Sequence, residues 1–299
     1  PHGALTPLGR RILRFPVHPR LGRLLVEGHD RGVPALACGA AALLGERGIR
    51  PGNHQAHTDA DADVLVDLAD LARLRRDRND DDTPRGGLLP GPARRVAQVR
   101  DQLLRLIDRP DPDDMSEGTG PKRQVAKDMS QGPGLTSDPR PASVADRPAS
   151  AAARPASPAR SAARPPAPAT VQAREDALRR ALLAAFSDRV ALARGDTHGD
   201  RVLALAGGGA ARLHPASVVR SAPWLLALAV EQRQEGLRGS QILVRSACAI
   251  EPDWLLEDFT DDIVTSDELS FNPARERVEG RSELRYHGLL VEATPHRQL

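Results

Sequence analysis

Three sets of residues in this chain have the types and spacing that could do chemistry. The first is the run HQAHTDADAD, with His54, His57, Asp59 and Asp61. Imidazoles three apart with carboxylates behind them could ligate a metal, but ligation demands a fixed geometry. The run sits just before an apolar periodic segment, where solvated acids at a helix start are expected instead. The second set is Arg277, Arg281, Arg285 and His287. On one continuous strand these share a face, with Val278, Leu284, Tyr286 and Leu290 on the other, unless a bend at Gly280 changes the register. Arginines along a strand suit phosphate contacts, which hold a nucleic acid without reading its sequence. An ordinary solvated face interleaved with Glu279 and Glu283 is the competing reading. The third set, Arg10, Arg11, Arg14 and Arg20, flanks an N-terminal turn and could meet a strand in the same way.

Other chemistry is missing. The sequence has no GxxxxGK[ST] to cradle nucleotide phosphates, no DExH and no QxxGRxGR arginine pair. Gly207–Ala210 reads GGGA with no lysine after it, which fits a tight turn between strands. No Ser–His–Asp spacing is present, His18 and His214 each sit beside a proline in a turn, and Asp261–Asp262 reads as loop charge. Cys38 and Cys248 are lone thiols, as expected in a reducing compartment. Trp224 and Trp254 read as core anchors. No catalytic residue, metal or cofactor is expected in this chain.

The elements that position these groups change character along the chain. Thr6-Pro7 is an N-cap followed by proline at the first helical position, and FPVHP breaks that helix near Arg14. A second helix runs from Pro19 to about Glu27, with Gly28 as its stop. VPALACGAAALLGE is a packed third helix, too short and too rich in Gly and Ala to span a bilayer. Asp61–Arg78 and Ala93–Arg109 place Val64, Leu65, Leu68, Leu71 and Leu74, then Val96, Val99, Leu103 and Ile107, at helical spacing. Residues 1–110 therefore predict an all-α bundle. From 111 to 170 the periodicity vanishes: RPAS recurs at Arg140, Arg147 and Arg154, and residues 139–170 contain no Leu, Ile or Phe. That composition predicts a disordered, Pro/Ala/Arg-rich linker. After a leading helix, VQAREDALRRALLAAF, the period shortens to two in RVALAR, RVLALA, WLLALAV and QILVRSACAI. Trp224, Leu226, Leu228 and Val230 should share one face, and Ile242, Val244, Ser246, Cys248 and Ile250 another. A short helix, EPDWLLEDF, and two more strand segments follow, so residues 171–299 predict a small β-barrel of the oligonucleotide-binding (OB) type, a generic small β-domain being the alternative. The net charge of +2 divides into +4 for residues 1–110, +2 for 111–184 and −4 for 185–299. No region announces a nucleic-acid binder by charge alone.

The tract FSDRVALAR…RVLALAGGGAARLHPASVV…WLLALAV…QILVRSACAIEPDWLLEDF resembles the OB domain of DEAH-box helicases, and its details resemble the bacterial HrpB branch, a family of ATP-dependent RNA helicases. LTPLGRRILRFPVHPRLGRLLVEG is similar to the opening of that family's ratchet, or helicase-associated, domain. The resemblance covers residues 4–50 and 172–293; residues 51–110 fit only as helices. It implies a cytoplasmic protein that handles single-stranded RNA or DNA beside motor domains expected upstream of Pro1, with ATP and magnesium belonging to those motor domains. A truncated homologue that docks proteins and never touches nucleic acid is the alternative.

Overall fold

The structure is a computed structural model that describes residues 5–46, 48–51, 59–76, 87–109, 167–197, 200–234, 240–272 and 277–296. The linker arginines, His54 and His57 lie outside the described residues. The helices are α1 (Pro7–Leu13), α2 (Pro19–Asp30), α3 (Pro34–Gly45), α4 (Asp63–Arg76), α5 (Pro90–Ile107) and α6 (Val171–Ala185). Strands β1 (Val190–Thr197), β2 (Asp200–Leu205), β3 (Ala210–Leu213), β4 (Trp224–Gln234) and β5 (Ser240–Ala249) come next. The short helix α7 (Pro252–Asp258) leads to β6 (Ile263–Asn272), β7 (Arg277–Tyr286) and β8 (Leu289–His296).

Proline opens five of the seven described α-helices, at positions 7, 19, 34, 90 and 252. Its fixed φ suits the first turn, where its missing N–H would be unpaired anyway. Thr6 caps α1 as its spacing predicts, with Gly9 N–H donating to its hydroxyl at 3.0 Å. Helix α3 is buried on nearly every side through Ala37, Cys38, Ala40, Ala41, Ala42 and Leu43, which makes it the centre of the helical layer. Gly28 does not end α2, which runs on to Asp30. A Cβ on Gly28 would lie 2.2 Å from Ala37 Cβ, so this glycine lets α2 and α3 approach.

Strands β1-β2-β3-β5-β4 close into a barrel, with β3 and β5 parallel and β4 returning to β1. Its interior is filled by Ala191, Leu203, Ala211, Leu213, Leu225, Ala227, Val244 and Ala247. The three glycines of GGGA all have positive φ and turn β2 into β3, as expected. Two sequence expectations need correction. The barrel closes without the last strands: β6, β7 and β8 form a separate antiparallel meander. Nor do Ile242, Val244, Ser246, Cys248 and Ile250 share a face. The β4–β5 register slips at Arg245, so Val244 enters the barrel while Cys248 and Ile250 join the core outside it.

That outer core is continuous from Leu24, Leu25 and Cys38 through Leu178 and Leu182 to Trp224, Cys248 and Tyr286, and residues 1–109 and 164–299 form one compact unit. Helix α6 packs on α2 and α3, so two stretches of chain far apart in sequence build the helical layer. Arg179 of α6, 3% exposed, ties the parts together. It donates to Ala249 O at 2.9 Å and to Asp176 at 3.0 Å, reaches Asp61 and Glu251 at 3.4 Å, and lies 5.0 Å over the Trp254 ring. No helix among the described residues is long and apolar enough to cross a membrane.

Candidate nucleic-acid interface

The helical-side arginines fasten the protein to itself. Arg10 donates to Leu5 O at 3.2 Å and Arg14 to Arg109 O at 2.6 Å. Arg11 forms a two-point ion pair with Asp30 at 2.6 and 2.9 Å. Burial works against the Asp30 carboxylate, but His29 and Arg11 hold its pKa down at about 2. Arg20 forks onto Asp188, just before β1, and each partner shifts the other toward its charged form.

On the meander, β7 is one continuous strand, with no change of register against β6 at Gly280. Arg277 opens it opposite Asn272. Arg281 and Arg285 share a face as predicted, but both turn onto Glu283, which is only 3% exposed. The ion-pair distances are 3.1 Å for Arg281 and 2.5 Å for Arg285. His287 leaves the strand: it has φ 42° and begins the turn to β8, with its imidazole 3.9 Å from Asp262. His287 therefore lies outside the strand face that carries Arg281 and Arg285, and that strand belongs to the meander and not to the barrel.

The acidic run before α4 is a structural strap. Asp59 accepts from Arg220 N–H at 2.9 Å, and hydrogen bonds from Ser221 and Arg220 hold its carboxyl below the usual range. Ala60 N–H donates to Val218 O at 3.0 Å, and Ala249 N–H to Asp61 O at 2.6 Å. Asp63 accepts three bonds, from Ser217 hydroxyl at 2.8 Å and from Val218 and Ala247 N–H at 2.7 Å each. Among the described residues no cluster of metal-ligating groups occurs. Burial pushes both thiols up to about 12, which leaves them inert.

A different basic surface emerges on the barrel. Pairing places Val202, Arg212, Leu243 and Glu231 in one row across β2, β3, β5 and β4. Arg212 is exposed, since its neighbours Ala211 and Leu213 turn inward. The slip in β5 brings Arg245 onto Glu231, and Arg233 meets the same carboxylate at 3.2 Å. Hydrogen bonds from Arg245 and Arg233 lower the Glu231 pKa. Burial, then the charges of Arg245 and Arg233, lowers that of His214 beside them. Arg194 of β1 is exposed at the far end of the row. Four other acids of this half of the chain face the helical layer. Asp188 faces Arg20, Glu251 faces Arg179, Glu257 faces Arg180, and Asp258 faces Arg180 and Arg31. Sequence spacing missed this surface, because its arginines are neighbours only through strand register.

No protein-family model matches the chain, and no curated protein matches it by sequence. Solved structures do. The crystal structure of the E. coli DExH-box NTPase HrpB aligns with a TM-score of 0.54 at 17% identity. The alignment covers 100% of this chain and 25% of that one. This chain shares its fold with part of HrpB. A second structure, of the Escherichia coli DEAH/RHA helicase HrpB, gives a TM-score of 0.51 at 18% identity over 99% of this chain. It too is covered over only 25% of its length. HrpB is also the branch that the LHPAS and EPDWLLEDF tracts resemble.

Proposed function

We propose that this chain is the strand-gripping, C-terminal region of an HrpB-like RNA helicase. In this reading residues 1–110 are the ratchet domain, 111–170 a linker, and 171–299 the OB domain with its leading helix. The strand order β1-β2-β3-β5-β4 of a closed five-stranded barrel supports the OB assignment. Motor domains elsewhere in the protein hydrolyse ATP with magnesium in the cytoplasm, and this region holds the phosphates of single-stranded RNA or DNA while the strand moves. The observation that carries the reading is the clustering of arginine on the barrel. Arg194, Arg212, Arg233 and Arg245 lie around the single carboxylate Glu231 on one open barrel surface, while Asp188, Glu251, Glu257 and Asp258 are engaged by helical-layer arginines.

The test is fluorescence anisotropy of a labelled single-stranded RNA against the full chain over a salt series. Affinity should be about micromolar or weaker, independent of sequence, and should fall with salt as counterions are released. Replacing Arg212, Arg233 and Arg245 by Ala should lower the salt slope by about 2, near 0.7 for each lost phosphate contact. Replacing Arg140, Arg147 and Arg154 controls for loose attraction to the linker. Loss of binding only in that control removes the barrel as the reader. A protein-docking role instead has one observation in its favour: Leu269 and Val278 are 63% and 49% exposed on the meander.

A further inference from the structure

The barrel and the meander enclose a pocket that neither the fold nor the charge pattern requires. The β2–β3 turn and the β7–β8 turn meet through Gly207 N–H, which donates to His287 O at 3.0 Å. Beside this contact lies a cavity of about 220 Å³ lined by Arg194, Val202, Gly209, Ala210, His287 and Leu289, among others. Cβ atoms built on Gly208, Gly209 and Gly288 would meet nothing within 4 Å, so the turns leave open space rather than a packed seam.

The chemistry of the walls selects the occupant. Val202, Ala210 and Leu289 present apolar surface, which a phosphate would not seek. Two amides of the glycine turn are already committed, Gly207 N–H to His287 O and Gly208 N–H to Leu205 O, both at 3.0 Å. What remains is a guanidinium and an imidazole at the edge of an apolar slot. Guanidinium planes and histidine rings stack on unstacked bases, and base edges accept their hydrogen bonds. The volume lies below the roughly 300 Å³ at which pockets for larger ligands begin, so one planar ring fits better than a whole nucleotide. Position agrees: Val202 belongs both to the pocket and to the row that pairs with Arg212. We infer that this pocket takes one unstacked nucleobase from a single strand lying across the basic barrel surface. The inference rests on the strand-gripping reading proposed above.

Two strands of equal length separate the two ideas, one an oligouridylate and one with abasic sugars throughout. Wild-type full chain should bind the oligouridylate more tightly. Ala210→Leu, which fills the slot from a strand position, should weaken oligouridylate binding about fivefold or more, the share of one stacked base, and leave the abasic strand unchanged. His287→Asn, which tolerates the positive φ of the turn, should show the same selective loss and serves if Ala210→Leu does not fold. Equal effects on both strands, or none on either, overturn the pocket while binding of the abasic strand keeps the strand-gripping reading. Absence of binding by both strands overturns both.

Discussion

The carboxylate of Asp63, at the first position of α4, accepts the hydroxyl of Ser217, in the segment after β3, at 2.8 Å. With the N–H groups of Val218 and Ala247 it forms a three-point attachment of the helical layer to the barrel, and Asp63 itself is 9% exposed. Asp63→Ala would leave three buried donors without an acceptor, so it should cost on the order of 3 kcal/mol in urea unfolding. Ser217→Ala removes one contact of the three and should cost about 1 kcal/mol. Equal losses in the two variants would show that the attachment is not shared in this way.

The same carboxyl gives a pH dependence of unusual sign. Burial pushes its pKa from 3.8 to about 6, against the opposing hydrogen bonds from Ala247, Val218 and Ser217 and with a smaller push from Asp67. Between about 4 and 6 the folded state therefore binds more protons than the unfolded state, and stability falls as pH rises through that window. The change should be on the order of 3 kcal/mol and should be absent in Asp63→Asn. Asp30, held at about 2, acts with the opposite sign and only below its ordinary value of 3.8, so the two effects separate. Thermal unfolding from pH 2 to 7 measures both.

What the sequence revealed and hid follows from how local each signal is. Thr6-Pro7 is local and appears as read, and the apolar spacing of α5 holds for Val96, Leu103 and Ile107, while Val99 is exposed. The GGGA turn is local too. The face assignments in β5 failed because beyond the slip at Arg245 both sides of the chain, from Ala247 to Ile250, are buried, so no alternation of polar and apolar residues records it. The basic barrel surface was hidden for a related reason. Arg212 and Glu231 lie in one row only because β5 runs between their strands, and nothing in their spacing encodes that. The acids of DADAD were legible as a group, but their partners, Ser217 and Ala247, are more than 150 residues away.

Gly28 offers a test in which two ordinary tendencies oppose each other. Gly→Ala inside a helix normally stabilises by about 1 kcal/mol. Here the new methyl would lie 2.2 Å from Ala37 Cβ, so overpacking should win and Gly28→Ala should lose about 1–3 kcal/mol. Adding Ala37→Gly should recover part of the loss. Stabilisation by Gly28→Ala alone would show that α2 and α3 separate at little cost.

Arg281 and Arg285 are the residues whose strand spacing most suggested phosphate contacts, and the geometry assigns them another task. Glu283 lies between them, its side chain 4% exposed, and each arginine pairs with it. Arg285 also reaches Gly288 O at 3.3 Å, which anchors the turn to β8. Removing both guanidinium groups leaves a buried carboxylate without a cation, a change that typically costs about 3–5 kcal/mol. Arg281→Ala with Arg285→Ala should therefore lower stability by roughly that amount, less the share that the partly exposed arginines lose to solvent. Glu283→Gln in the same background should restore much of it, because the uncompensated charge is gone. RNA affinity, measured where the variant remains folded, should stay within about twofold of wild type, in contrast to the Arg212, Arg233 and Arg245 variant. An unchanged stability with a lost salt slope would reverse the assignment and return the phosphate contacts to β7.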